Sequence, residues 1–146
     1  MAPIKEWFGA YNVIFRWFEK NYGKEALTEY WRFLAESCFQ ETIERFKEGG
    51  LNEIDSYFRE IFETDGGEYT SSLSENLLLC EIKKCPDHDF MKGSDNPCFK
   101  PIEDYCRHHD IINSVIAQKA GFSFCMSECS GEGQCRWMFK RQGRDF

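Results

Sequence analysis

The chain has 146 residues, a hydrophobic fraction of 42% and a net charge of −7. This length and apolar content fit one domain, 1–146, with a core that does not depend on disulfide bonds. The acidic balance disfavours nucleic acid as a partner, and no apolar run approaches the ~20 residues of a membrane span.

The first half of the chain, 1–66, is predicted to be helical. Residues 4–21 predict a first helix that ends at Gly23 and is very rich in aromatic side chains. Those side chains lie on more than one face, which is typical of a deeply buried helix or a subunit contact. We therefore expect a homo-oligomer.

Two more helices are expected before residue 66. One runs from about 24 to 47, and Cys38 lies on its apolar stripe, which predicts a core position for this thiol. Gly49 and Gly50 are expected to stop that helix, and Asn52 to cap the next one.

The second half, 67–146, changes to the period of strands. Residues 68–73 and 77–84 predict a hairpin, in which Cys80 shares a face with apolar neighbours and is expected in the core. Residues 86–100 are polar and rich in turn formers, which predicts a loop containing a solvated His88.

A last helix and a last hairpin complete the expected fold. Pro101 is expected to open a helix that runs to Lys119, and residues 122–129 and 135–141 predict two strands. The pattern indicates an α+β fold: N-terminal helices packed on a small antiparallel sheet of about four strands, with a cysteine-bearing C-terminal hairpin.

Seven of the eight cysteines follow residue 79: Cys80, Cys85, Cys98, Cys106, Cys125, Cys129 and Cys135. The N-terminal residues lack a basic segment followed by an apolar stretch, which favours a cytoplasmic protein. Cysteines usually stay reduced in that compartment, so their number points to metal, redox or nucleophilic chemistry.

The predicted last helix carries a candidate nucleophile. Cys106 and His109 share its inward face, so the imidazole can lower the thiol pKa or both can bind a metal. Asp110 is a candidate for orienting the imidazole, whereas His108 is expected to point away. The simpler interpretation is a buried cysteine beside a hydrogen-bonded histidine.

The terminal hairpin adds candidate metal ligands, because Cys129 and Cys135 bracket one five-residue turn. We expect them to converge with Cys85 and Cys106, with Cys98 and His109 in reserve. The predicted cofactor is Zn²⁺, and the alternative is a [4Fe-4S] cluster.

The second half, roughly residues 68–141, resembles the L-2-amino-thiazoline-4-carboxylic acid hydrolase-like family. The resemblance lies in a strand ending Cys85-Pro86, the run Cys106-Arg107-His108-His109-Asp110, and a final Gly-Gln-Cys-Arg-Trp-Met-Phe at 133–139. That last motif is one residue shorter before its cysteine than the family pattern. The resemblance implies hydrolysis of a cyclic amidine, in which water attacks the carbon between nitrogen and sulfur.

A weaker resemblance is to 4-vinyl-reductase-type small-molecule-binding domains, some of which hold zinc through Cys and Glu. Glu128, Cys129 and Cys135 stand at the matching positions, with Cys106 upstream. Three function classes stay open. The first is a hydrolase-like enzyme acting on a small nitrogen- or sulfur-containing heterocycle, and the second is a non-catalytic metal-binding module that senses a small molecule or serves a larger complex. The third is a structural domain with reduced cysteines in its core.

Overall fold

The computed structural model describes residues 4–143, which form five α-helices, one short 3₁₀ turn and one antiparallel sheet. In chain order the elements are α1 Glu6–Tyr22, α2 Lys24–Cys38, α3 Gln40–Asp65, β1 Glu68–Leu73, β2 Leu77–Lys84, α4 Pro86–Lys92, the 3₁₀ turn Pro97–Phe99, α5 Arg107–Ala120, β3 Phe122–Ser127 and β4 Cys135–Arg141. The predicted α+β class, with a sheet of four strands and a cysteine on its last strand, is confirmed. Of the helices described, none is both long and apolar enough to cross a membrane.

The sheet has the strand order β1-β2-β4-β3, so the last strand of the chain lies inside the sheet. Alternation along β2 buries Leu78, Cys80 and Ile82 on one face, which confirms the core position of Cys80. Helices α3 and α5 cover that face, and Trp137 and Phe139 of β4 pack into the same core.

The helical half has the expected interruption at Gly49 and Gly50 and one further break that was not expected. Helix α2 ends at Cys38, and α3 begins at Gln40 and is interrupted by a kink at Gly50, where φ is 67° and ψ is −155°. Positive φ is accessible to glycine without a steric penalty, so the chain turns there and resumes the helix. Cys38 is exposed, and its predicted core position is wrong because it lies at the end of α2, where the apolar stripe stops.

The segment expected to be a loop contains α4, which begins at Pro86. Proline suits the first position of a helix because its missing N–H has no partner to lose there. The expected helix start at Pro101 is also wrong. Asn12 of α1 accepts the Ile102 N–H at 2.9 Å and donates to the Lys100 carbonyl at 2.7 Å, which holds this segment in an irregular path until α5 begins.

Helix α1 buries one narrow side, with Asn12 and Phe15, against the rest of the molecule. On its other sides Trp7, Trp17 and Tyr22 are 57%, 56% and 63% exposed. Several of the aromatic side chains of α1 are therefore exposed at the surface. The homo-oligomer stays a prediction.

Candidate metal and substrate site

Three potential metal ligands meet where β2 ends and α4 and α5 begin. The ligand atoms of Cys85, Asp87 and His109 all lie within 4.8 Å of one another. Cys85 is the last residue before α4, Asp87 lies in the first turn of α4, and His109 lies in the first turn of α5. Two chain segments about 20 residues apart thus supply a thiol, a carboxylate and an imidazole, which are all ligand types of Zn²⁺.

The buried carboxylate of Asp87 is the centre of this group. The Tyr105 hydroxyl donates to its Oδ2 at 2.8 Å. The Nε2 atoms of His108 and His109 lie 3.9 Å and 3.8 Å from the same oxygen. These two distances are too long for hydrogen bonds, so Tyr105 is the one side chain shown to hydrogen-bond this oxygen.

The two imidazoles present ring nitrogens to this group, and one of these nitrogens has no partner among the described residues. His108 Nδ1 contacts the Tyr105 carbonyl, which only accepts, so Nδ1 carries the proton and a neutral His108 has a lone pair on Nε2. About a quarter of the His109 side chain is exposed, but its Nε2 is buried and has no hydrogen-bond partner among the described residues. An unsatisfied buried nitrogen of this kind is rare and calls for a ligand or ion.

Burial, with a smaller contribution from a neighbouring histidine in each case, keeps both rings neutral. Burial, with a smaller contribution from His109, lowers the pKa of His108 to about 3. Burial, with a smaller contribution from His88, lowers the pKa of His109 to about 4. A neutral imidazole is the form that binds metal.

The group forms part of the wall of an aromatic cavity of about 480 Å³ that lies among α1, α2, α3 and α5. Cys85, Asp87, His108 and His109 all line it, and most of the remaining wall is aromatic or aliphatic. This volume is within the range of small-molecule sites, which are mostly apolar with a few polar groups.

A second cavity, the sulfur cavity, lies on the other side of Cys85 and His109. It measures about 10 Å³, close to the volume of one water or ion, and its wall contains Cys85, Cys106, Cys129 and Cys135. Burial raises the pKa of Cys85 to about 12 and that of Cys135 to about 11, and it also raises the pKa of Cys106. These thiols are therefore protonated at neutral pH unless a cation displaces their protons.

Four of the five cysteines considered as metal ligands line the sulfur cavity, but the group of ligand atoms found within 4.8 Å of one another among the described residues is Cys85–Asp87–His109. The fifth cysteine, Cys98, is exposed in the 3₁₀ turn. Cys106 and His109 both line the sulfur cavity, but the ring next to the Cys106 sulfur is His88, whose Nε2 lies 3.2 Å away. Asp110 lines a different, open pocket and hydrogen-bonds Ser114, so the carboxylate beside His109 is that of Asp87.

Two expectations about histidines are wrong. His88 is buried because α4 folds back over the cysteines, and is not solvated. His108 is buried beside His109, with ring centroids 3.9 Å apart, and does not point away. Asp87 and Tyr105 were missed. The available signal was Pro86 followed by an acidic residue, a combination typical of a helix start.

No protein-family model, no curated protein and no solved structure matches the chain. The resemblances described above therefore rest on the motif residues alone.

Proposed function

We propose that the protein is a hydrolase-like enzyme that binds a small nitrogen- or sulfur-containing heterocycle in the aromatic cavity and attacks it with water at the Cys85–Asp87–His109 group, with Zn²⁺ as cofactor. The observation that carries the proposal is that this donor set forms part of the cavity wall. A reactive group placed there meets any molecule that fills the cavity.

The donor set fits Zn²⁺ of the catalytic kind. Catalytic zinc sites use three protein ligands and keep one position open, whereas structural sites are closed by four. Cys85, Asp87 and His109 supply three ligands of different types, and within residues 4–143 the buried Nε2 of His109 has no hydrogen-bond partner. When bound, such an ion acts as a Lewis acid and makes water a nucleophile near neutral pH.

The electrostatics favour metal assistance over a Cys/His nucleophile. A thiolate–imidazolium pair needs a thiol pKa that is lowered and an imidazole pKa that is not. Here burial raises the pKa of Cys106 and lowers that of His88, so this pair stays neutral. The Cys106 thiol is thus a weak nucleophile at pH 7.

The chain's own residues have defined tasks in this proposal. Tyr105 holds the Asp87 carboxylate through its hydroxyl proton and thereby fixes the direction of the free lone pairs. His108 presents a lone pair beside the same carboxylate, where it can accept a hydrogen bond from the attacking water. The apolar cavity wall excludes other water from the reacting carbon.

The test is hydrolysis of 2-amino-2-thiazoline, followed by mass spectrometry of the ring-opened product. We expect turnover by zinc-loaded protein, loss of turnover after chelation and its return with Zn²⁺. Asp87→Asn should lower the rate at least about 100-fold, as expected for a metal ligand. Asp89→Asn is the matched control, because Asp89 lies on the same helix with a side chain that is 55% exposed. Turnover that survives both chelation and Asp87→Asn would contradict the proposal.

The sulfur cavity supports a second candidate function. Four cysteines line a space for one ion, which is the ligand number of a closed zinc site and would make the protein a non-catalytic metal-binding module. The alternative cofactor, a [4Fe-4S] cluster, would need this cavity to widen. Iron and zinc analysis of anaerobically purified protein separates the metals. An iron–sulfur cluster would give a brown protein that absorbs near 400 nm.

Cytoplasmic localisation and self-association belong to the same proposal. The exposed aromatic side chains of α1 offer an apolar surface to a second copy of the chain. Light scattering at micromolar concentration should give a mass above the 17.2 kDa of one chain. A monomeric mass would contradict the proposed association.

A further inference from the structure

The aromatic cavity has an unusual balance of charge. Ten Phe, Tyr and Trp side chains line it, together with the carboxylates of Asp65 and Asp87. Among residues 4–143, no lysine or arginine contributes to its wall. Lys5 is the one cation that acts on Asp65, and its charge opposes the effects of burial and of Asp87, which raise the pKa of Asp65.

Metal binding would not use the Asp65 carboxylate. A Zn²⁺ ion held by Cys85, Asp87 and His109 would be balanced by one thiolate and one carboxylate. Asp65 lies outside that ligand set, so it adds a further carboxylate to the aromatic wall with or without the metal.

A separate observation favours a polar ligand in the cavity. Asn113 is only 7% exposed and lines the cavity, and its side-chain Nδ2 has no hydrogen-bond partner among the described residues. It lies one helical turn beyond His109 on α5, so both side chains share one face. Leaving a buried amide unpaired costs about 1–3 kcal/mol, and a ligand with hydrogen-bonding groups removes that penalty.

We propose that the ligand of the aromatic cavity is a flat organic cation, such as a protonated cyclic amidine, whose charge is recognised by Asp65 and the surrounding rings. The inference rests on the proposed function, since it names the charge state in which the substrate of that same cavity binds. Aromatic faces attract cations at short range, and a carboxylate in the same wall adds direct attraction.

A neutral or anionic ligand fits this wall poorly. A neutral hydrocarbon would remove water from the Asp65 carboxylate without replacing its hydrogen bonds, and an anion would add repulsion. An amidinium group carries both the positive charge and several N–H donors. It can therefore bind a carboxylate while leaving its ring in contact with the aromatic wall.

Three ligands of equal shape test the charge directly: 2-naphthamidine, 2-naphthamide and 2-naphthoate, which are a cation, a neutral molecule and an anion at pH 7. Calorimetric titration into chelator-treated protein should show the amidine binding at least ten-fold tighter than the amide, with the naphthoate weakest. Equal binding of the three, tighter binding of the amide or naphthoate, or no binding of any would overturn the inference.

Two variants test whether Asp65 causes the preference for the amidine over the amide. Asp65→Asn should reduce the preference for the amidine over the amide to less than three-fold, whereas Glu63→Gln, an exposed acidic residue of the same helix, should leave it unchanged. An unchanged preference in Asp65→Asn would overturn the role of Asp65.

The binding test is separate from the reaction. Zinc-loaded protein that prefers the amidine but hydrolyses no thiazoline would overturn the proposed reaction alone. Hydrolysis without any charge preference would overturn this inference alone.

Discussion

Two carboxylates in this molecule, the partly buried Asp55 and the buried Asp87, have the same kind of immediate neighbour and different surroundings. Asp55 of α3 and Asp87 of α4 each accept a tyrosine hydroxyl at 2.8 Å, from Tyr69 and Tyr105. The Asp55 carboxylate also has a cation beside it, Arg59, at 3.4 Å.

Asp87 has no such cation among the described residues. In the corresponding place it has the Nε2 atoms of two neutral histidines and the sulfur of Cys85. The first cluster is complete within the chain, so its role is structural. In the second cluster the ligand atoms of Cys85, Asp87 and His109 lie close together, and a bound cation would supply the partner that their lone pairs lack. Four experiments test whether the two carboxylates differ in this way.

The largest effect is expected on metal affinity at the Asp87 cluster. His109→Ala removes one of three ligands and should weaken Zn²⁺ binding at least about 100-fold. Competition with a chromogenic chelator measures this change. Cys98→Ser is the control, because Cys98 is exposed in the 3₁₀ turn and should leave affinity unchanged. Equal affinities of wild type and His109→Ala would remove His109 from the ligand set.

A second experiment decides between the two positions available to a metal. Cys85 lines both cavities, whereas Cys135 lines the sulfur cavity and is absent from the wall of the aromatic cavity. With the metal at Asp87, Cys85→Ser should weaken Co²⁺ binding at least about ten-fold, and Cys135→Ser should change it less than three-fold. Absorption by Co²⁺–thiolate bonds reports the number of bound sulfurs. A strong loss in Cys135→Ser would place the metal among four sulfurs instead.

The free energy of unfolding should depend more on Asp55 than on Asp87, which reverses the order expected for metal binding. Asp55→Asn removes the ionised partner of Arg59 and Tyr69 and should lower the free energy of unfolding by about 2 kcal/mol. In metal-free protein, Asp87→Asn should lower it by less than about 1 kcal/mol, because this carboxylate is buried without a cation. Urea unfolding measures both. A larger loss in Asp87→Asn would show that the Asp87 cluster is structural as well.

The smallest expected effect is a loss of folding stability at low pH, when the Asp55 carboxylate takes up a proton. Burial would raise the pKa of Asp55, but hydrogen bonds from Ser71 and Tyr69 and the charge of Arg59 outweigh it, and the pKa lies below 3.8. The folded-state pKa is thus lower than the unfolded value. This contribution to stability is full above about pH 4 and is lost as pH falls through the folded pKa.

We expect a loss of about 1 kcal/mol at this site in acid, allowing for solvent screening. Urea unfolding of wild type and Asp55→Asn between pH 5 and pH 2.5 measures it. The difference in the free energy of unfolding between wild type and Asp55→Asn should decrease as pH falls. A difference that stays constant would contradict the assignment of this pH dependence to Asp55.

The strands could be predicted from the sequence because alternation and turn residues determine them locally. Three of them, 68–73, 77–84 and 135–141, have the predicted bounds. The four cysteines line one small cavity because a hairpin brings its flanking residues together and its strand pairs beside β2, but their convergence as one ligand set stays a prediction. The metal itself stays a prediction.

Asp87, Tyr105 and the true place of His88 could not be predicted in the same way. Helix α4 has only seven residues, too few for a periodic pattern to distinguish it from a loop. Tyr105 lies in an irregular segment whose path depends on Asn12, more than 85 positions earlier in the chain. Contacts of that range leave no local trace in the sequence.

The position of β4 has a consequence for how the protein folds. This strand is the last in chain order, yet it separates β2 from β3, and the turn before it is fixed by a hydrogen bond from the Cys85 N–H to the Gly133 carbonyl at 3.0 Å. Insertion of a late strand between two earlier ones requires contacts between distant residues, which slows folding. Until that step β2 and β3 each keep an unpaired edge open to other chains. Rapid dilution from denaturant should therefore favour aggregation at high protein concentration.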